Sequence, residues 1–343
     1  MDSSKKEIYL CYYVINEYKS ELSKIKKKID GITIFYSTDK ITVDQFILEC
    51  SRKIKTKNST VIFFYAGHSF SYYLRNGDKY VSLSELRVAL ETLQPELCIF
   101  DSCAMSTLEC LYELRGCTQY ILGCEGYGSD YGFLTVNTLS YLKEYAKTND
   151  LVLLGKKMLN DAYRQNKSYH KPWNGTFCRT QNVSLVANYL SDPNLKHVPY
   201  VCVNYPLVDI GSWFRVDLSS IVIAFKQNRV DSTNCSGISF VLWVKRERDS
   251  DRYASCQLYK DFKWVRGVHY ICDYDKRVLE IDSDIQTIKP YLLSKIKEES
   301  EADEIVVPST IQKNSDIIYQ NVYNDLENNI SGLIKHYRLK MNY

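Results

Sequence analysis

Over its first half the chain alternates short apolar runs with segments of helical period, and this restricts the fold more than any other feature. The runs EIYLCYYVI (7–15), ITIFYS (32–37), STVIFFYAGHS (59–69), ELCIFDSC (96–103) and QYILGCE (119–125) are rich in β-branched and aromatic residues, the composition of strands. Between them, YKSELSKIKKKI (18–29), TVDQFILECSRKI (42–54), SLSELRVALETL (82–93) and STLECLYEL (106–114) space their apolar residues as amphipathic helices do. Two of these open on a serine with glutamate three residues later, Ser82 with Glu85 and Ser106 with Glu109, the pattern of a capping box. A helical stretch near 134–166 and the run QNVSLVANYL (181–190), read as a sixth strand, complete the series. Parallel strands need crossover connections, and helices supply them. The fold class expected is therefore α/β, a mostly parallel six-stranded sheet with helices on both faces. The run at 59–69 is apolar throughout, which places it centrally in that sheet.

From about residue 200 the pattern changes. SGISFVLWVKRE (236–247) and DFKWVRGVHYICDYD (261–275) are strand-like and aromatic, KEESEADE (297–304) is a solvated charge run, and the last segment has helical character. The division expected is a catalytic core over 1–195, a β-containing subdomain over 196–275, and a charged linker with a helical extension over 276–343. A net charge of +3 in 343 residues argues against nucleic acid or an acidic membrane as partner. No apolar run reaches the ~18 residues that a membrane-spanning helix needs. The N-terminal run reads as a first strand and not as a secretory signal. The 12 cysteines sit mostly within apolar runs, where a free thiol packs as a small hydrophobe, so reduced thiols and a cytoplasmic location are expected. There is no Cys-x-x-Cys pair among Cys103, Cys110, Cys117 and Cys124 and no Asp-x-Asp-x-Asp loop, so no metal and no cofactor is expected. GCEGYGSDYG (123–132) lacks the Lys-Ser/Thr ending of a phosphate loop.

Two apolar strands end in reactive side chains. VIFFYAGHS carries His68 at its end, CIFDSC carries Cys103, and one helix lies between them, the length of a right-handed crossover. If the strands are parallel neighbours, both ends open on the edge where open α/β sheets place their sites. A strand spacing of about 4.8 Å then brings an imidazole and a thiol within reach of one substrate, a nucleophile–base arrangement. Asp101 lies two residues before Cys103 and so on the same side of its strand.

These residues resemble a known family. FDSCAMSTLECLYEL is similar to the nucleophile block of the clostripain family of cysteine peptidases. SLSELRVAL, YILGCEGYGSDYGF and SGISFVLWV resemble the blocks around it, over about residues 7–270 and most strongly over 82–133. The resemblance implies a caspase–hemoglobinase-like fold and peptide-bond hydrolysis by a His68–Cys103 dyad, with the thiolate attacking and the imidazole moving the protons. It implies an oxyanion hole from the backbone N–H groups of Ser69 and Cys103. A helix N-terminus just after Cys103 is expected to lower the thiol pKa. Asp101, with Asp130 as a second acid, would line the pocket that selects Arg or Lys before the cut. A charge-assisted hydrogen bond of about 1.5–3 kcal/mol there gives roughly tenfold to hundredfold discrimination. Self-cleavage after Arg75 or Lys79, in the turn-rich SFSYYLRNGDKY loop, is expected on the same ground. The partner implied is a peptide or protein with a basic residue at the cleavage site. Ser69 stands where the wider clan has glycine, and serine is strained there if the position needs φ > 0. That departure carries an alternative, a catalytically silent module that binds basic peptides or regulates a partner.

Overall fold

The computed structural model describes residues 7–21, 30–38, 40–54, 59–76, 79–126, 128, 132–170, 173–190, 202–204, 207–228, 235–241 and 252–262. A seven-stranded sheet runs through its centre. The strands are β1 (Glu7–Val14), β2 (Ile32–Thr38), β3 (Ser59–Ala66), β7 (Leu97–Asp101), β8 (Tyr120–Cys124), β9 (Trp173–Arg179) and β12 (Val222–Asn228), in the order β12-β9-β8-β7-β3-β1-β2. β2, β1, β3, β7 and β8 are parallel, while β9 is antiparallel to β8 and β12 antiparallel to β9. Two three-stranded sheets flank it. One is the hairpin of β4 (Ser69–Phe70), β5 (Tyr73–Asn76) and β6 (Lys79–Ser82); the other joins β10 (Cys202–Asn204), β11 (Leu207–Asp209) and β13 (Ser239–Val241).

Successive side chains on a strand point to opposite faces, and here they build two cores. Cys11, Tyr13, Phe63, Tyr65, Cys98 and Phe100 face helices α1 (Val43–Lys53), α2 (Leu83–Leu93), α3 (Leu108–Leu114) and α6 (Val183–Tyr189). Leu10, Tyr12, Ile62, Phe64, Leu97 and Ile99 face α4 (Thr138–Thr148) and α5 (Leu151–Ser168). Each fully buried Phe, Ile or Leu of these strands contributes about 1.5–3 kcal/mol, which is why β3, apolar on both faces, sits in the interior of the sheet. Among the described residues no helix is long and apolar enough to cross a membrane.

The structure corrects the sequence reading at three places. The strand after α5 is 173–179, and 181–190 is mainly helix α6. Val183, Val186 and Ala187 are the buried residues of α6, a spacing of three and four that is helical. WNGTFCR reads poorly as a buried strand because Asn174 and Thr176 interrupt it. Both are buried, with Asn174 donating to Glu125 and Thr176 to Gly237 O, so partners far along the chain satisfy them. A seventh strand, β12, extends the sheet from beyond residue 195, and Leu207, Ile210, Ile238, Phe240, Tyr253 and Leu258 belong to the same core as α3. Residues 263–343, and with them the expected linker and helical extension, lie outside the described residues.

The third correction concerns caps. Ser82 and Glu85 form the expected capping box, the Ser82 hydroxyl accepting from Glu85 N–H and the Glu85 carboxylate from Ser82 N–H. At the next helix Thr107 caps instead of Ser106, and Glu109 turns inward to accept from Val241 N–H and Tyr253 O–H. Glu113, one turn on, accepts from Arg87 and from Gln257 N–H. Two buried carboxylates of α3 thus hold β13 and the segment 252–262.

Candidate active site

β3 and β7 are parallel neighbours, and their last paired rung is Ala66 with Asp101. Gly67 N–H still donates to Asp101 O at 3.2 Å. His68 and Cys103 each stand two residues past that rung, beyond the carboxyl ends of two neighbouring strands. Gly67 cannot carry a side chain, since a Cβ there would lie 2.6 Å from the Tyr65 hydroxyl. Tyr65, buried in the core, points this hydroxyl at the carbonyls of His68 (2.8 Å) and Arg75 (2.7 Å), and Arg75 N–H donates to His68 O. The hairpin β4–β6 therefore fixes the backbone of His68.

Ser69 is not among the residues of positive φ, so serine carries no conformational strain at this position. It is buried, and its hydroxyl donates to Cys103 O, tying the end of β3 to the turn after β7. The residue that does adopt left-handed backbone is Ala104, at φ 52°, directly after Cys103, with its N–H donating to Gly126 O.

Cys103 is half-buried, and Gly128 N–H donates to its Sγ at 3.3 Å. Burial pushes the thiol pKa up, the Gly128 N–H opposes this, and the nearby Asp101 adds to the rise. The expected lowering by a helix N-terminus is not found: a turn intervenes, and α3 begins at Leu108, with Thr107 as its cap. Asp101 closes β7, half-buried. Gly132 packs on its carboxylate so closely that a Cβ would fall 1.7 Å from one oxygen, so only glycine fits. Asp130 lies outside the described residues.

The His68 and Cys103 side chains share no hydrogen bond. His68 is instead joined through Nε2 to a Glu17 carboxylate oxygen at 2.8 Å, and the other Glu17 oxygen lies 3.4 Å from Arg75. Glu17 follows β1, the neighbour of β3 on the side away from β7, and the sequence reading missed it. Its one signal was position, a carboxylate just after a strand of the same parallel set. A donor set that could hold a cation, Glu125, Asp209 and Cys235, lies within 4.8 Å. Its Asp209 oxygens already accept from Ser212 N–H and from Ser236 N–H and hydroxyl, which makes Asp209 a cap and a brace.

Residues 35–187 match the model of the clostripain family of peptidases. The match marks this segment as a clostripain-like cysteine peptidase domain, and it spans β3, the hairpin, β7 and the turn with Cys103. No curated protein sequence matches the chain. Among solved structures, a secreted C11 cysteine protease from Bacteroides thetaiotaomicron in complex with an irreversible peptide inhibitor superposes with a TM-score of 0.59 at 10% identity, covering 74% of this chain and 98% of that one. An inactive zymogen C11 protease from Parabacteroides distasonis gives 0.57 at 14% identity, covering 76% and 99%. At these identities the likeness shows the fold, the caspase-like arrangement expected of the clostripain domain.

Proposed function

We propose that the chain is an endopeptidase that cuts after Arg or Lys, with Cys103 as nucleophile and His68 as proton carrier. The observation that carries the reading is the Ala66–Asp101 rung, which His68 and Cys103 each follow by two residues. His68 takes the Cys103 thiol proton as the sulfur attacks the scissile carbonyl carbon. The C–N bond breaks as His68 gives that proton to the leaving amine, and a thioester remains. Water then attacks the thioester, His68 takes its proton, and the C–S bond breaks as His68 passes the proton to the sulfur, restoring the thiol. The raised thiol pKa makes the transfer from Cys103 to His68 necessary at neutral pH. Backbone N–H groups of Cys103 and Ser69 stand at the two strand ends where the oxyanion would form.

The preference for a basic residue rests on Asp101, a half-buried carboxylate ending the nucleophile strand. An arginine or lysine of the substrate supplies its counter-charge. Replacing Asp101 by Asn lowers kcat/KM for Arg- and Lys-terminated fluorogenic peptides by about 10- to 100-fold. Cleavage after neutral residues changes little. An unchanged ratio across a positional scan would move the selectivity elsewhere.

Self-processing is proposed after Lys79 in preference to Arg75. The Arg75 carbonyl accepts from Tyr65, its N–H is bonded to His68, and the next side chain, Asn76, is buried and accepts from Tyr13 and Val43 N–H. Lys79 is exposed at the start of β6. Mass spectrometry of the purified chain incubated alone should show fragments ending at Lys79, absent from Lys79→Gln and Cys103→Ala. A fully active chain that stays intact would remove processing from the scheme. A cytoplasmic location is proposed as well, supported by ten free thiols among the described residues, eight of them buried.

A further inference from the structure

From the strand order we infer that Glu17 is a positioning residue for His68, holding the ring through Nε2 so that Nδ1 is the nitrogen that exchanges protons with Cys103 and the substrate. The inference rests on the reading of His68 and Cys103 given above and adds a third group to it. In the sheet, β7, β3 and β1 are consecutive neighbours, so the chain leaves three adjacent strand ends toward Cys103, His68 and Glu17 in turn. β1 keeps its register to the very edge. Val14 pairs with Ala66, and Ile15 N–H donates to Ala66 O before the short 3₁₀ helix Asn16–Glu21 begins.

That helix presents two residues to the imidazole. The Tyr18 ring meets it edge-on at 5.6 Å, and a Glu17 oxygen lies 2.8 Å from Nε2. An ionised carboxylate only accepts, so Nε2 carries the hydrogen and Nδ1 is left with its lone pair. The carboxylate is held ionised, its pKa lowered chiefly by the bond to His68. When Nδ1 takes a proton the ring becomes a cation, and Glu17 already faces it. Arg75 is the other charged group on this carboxylate, at 3.4 Å. The backbone of His68 is fixed by Tyr65 and Arg75 and its ring by Glu17 and Tyr18, so both of its rotatable parts are constrained.

The test compares wild type, Glu17→Gln, Glu17→Asp and His68→Ala on an Arg-terminated fluorogenic peptide, with ¹⁵N NMR of the His68 ring. Glu17→Gln lowers kcat by about tenfold with KM within about twofold. This is less than the loss at a buried triad carboxylate, because Glu17 is half exposed. Glu17→Asp recovers part of the rate. The neutral ring of wild type shows the hydrogen on Nε2, and Glu17→Gln mixes the two tautomers. Unchanged or raised kcat in Glu17→Gln, beside an active wild type and a dead His68→Ala, overturns the inference and leaves the peptidase reading standing. A raised kcat would mean that Glu17 restrains the ring. A wild-type ring with its hydrogen on Nδ1 overturns the inference whatever the activity. Active His68→Ala sinks the peptidase reading itself.

Discussion

The proposed Cys103–His68 dyad predicts that Cys103→Ala abolishes hydrolysis of Arg- and Lys-terminated peptides, lowering kcat by at least about 10⁴-fold, and that His68→Ala does nearly the same. The two losses do not add. Without the imidazole the thiol has no partner to take its proton, and burial and Asp101 already keep it protonated at neutral pH. Without the sulfur the imidazole has no nucleophile to serve. The double variant should therefore be no slower than the worse single one. Both positions are only half-buried, so the folded state survives and the loss is one of chemistry. Steady-state rates together with thermal unfolding of the same preparations check this. More than about one percent of wild-type activity in Cys103→Ala, after exclusion of a contaminant, would place the nucleophile at another residue.

The second large effect is on stability. Glu109 is fully buried in α3, and burial pushes its pKa from 4.5 up to about 7 against the opposing hydrogen bonds from Val241 N–H and Tyr253 O–H. A folded state that holds a proton more tightly than the unfolded chain gains stability where that proton is bound. The contribution is complete below about pH 4.5 and is lost as pH rises through about 7. Its full size is on the order of 3 kcal/mol, or roughly 5–10 °C in melting temperature. Glu17 and Asp217, whose pKa values are lowered, act in the opposite sense at more acid pH, but both are exposed and their effect is small. Glu109→Gln imitates the protonated acid. It should leave the melting temperature near pH 5 close to wild type and raise it at pH 7.5, flattening the profile between them. A parallel decline in both proteins would assign the pH dependence to other groups. Because Glu109 holds β13 and Tyr253 against the helix that follows Cys103, deprotonation loosens the segment 252–262 first, and hydrogen exchange at Val241 N–H reports it.

The sequence determined the strand–helix alternation, the parallel sheet, the interior place of β3, and the positions of His68 and Cys103 just past the ends of neighbouring strands. These are patterns of burial and turn repeated every few residues, and a local reading captures them. It also determined the Ser82 capping box, which closes within four residues. The tertiary structure decided where polar groups find partners far along the chain. Asn174 and Thr176 are strand residues because Glu125 and Gly237 receive them, and Glu109 is a buried brace because β13 and Tyr253 arrive from more than 130 residues away. The same holds at the site. Ser69 is unstrained and bonded to Cys103, the thiol is raised instead of lowered, and Glu17 meets His68 across 51 positions of sequence. The energy of a buried polar group is set by what faces it, and no local period in the chain records what that will be.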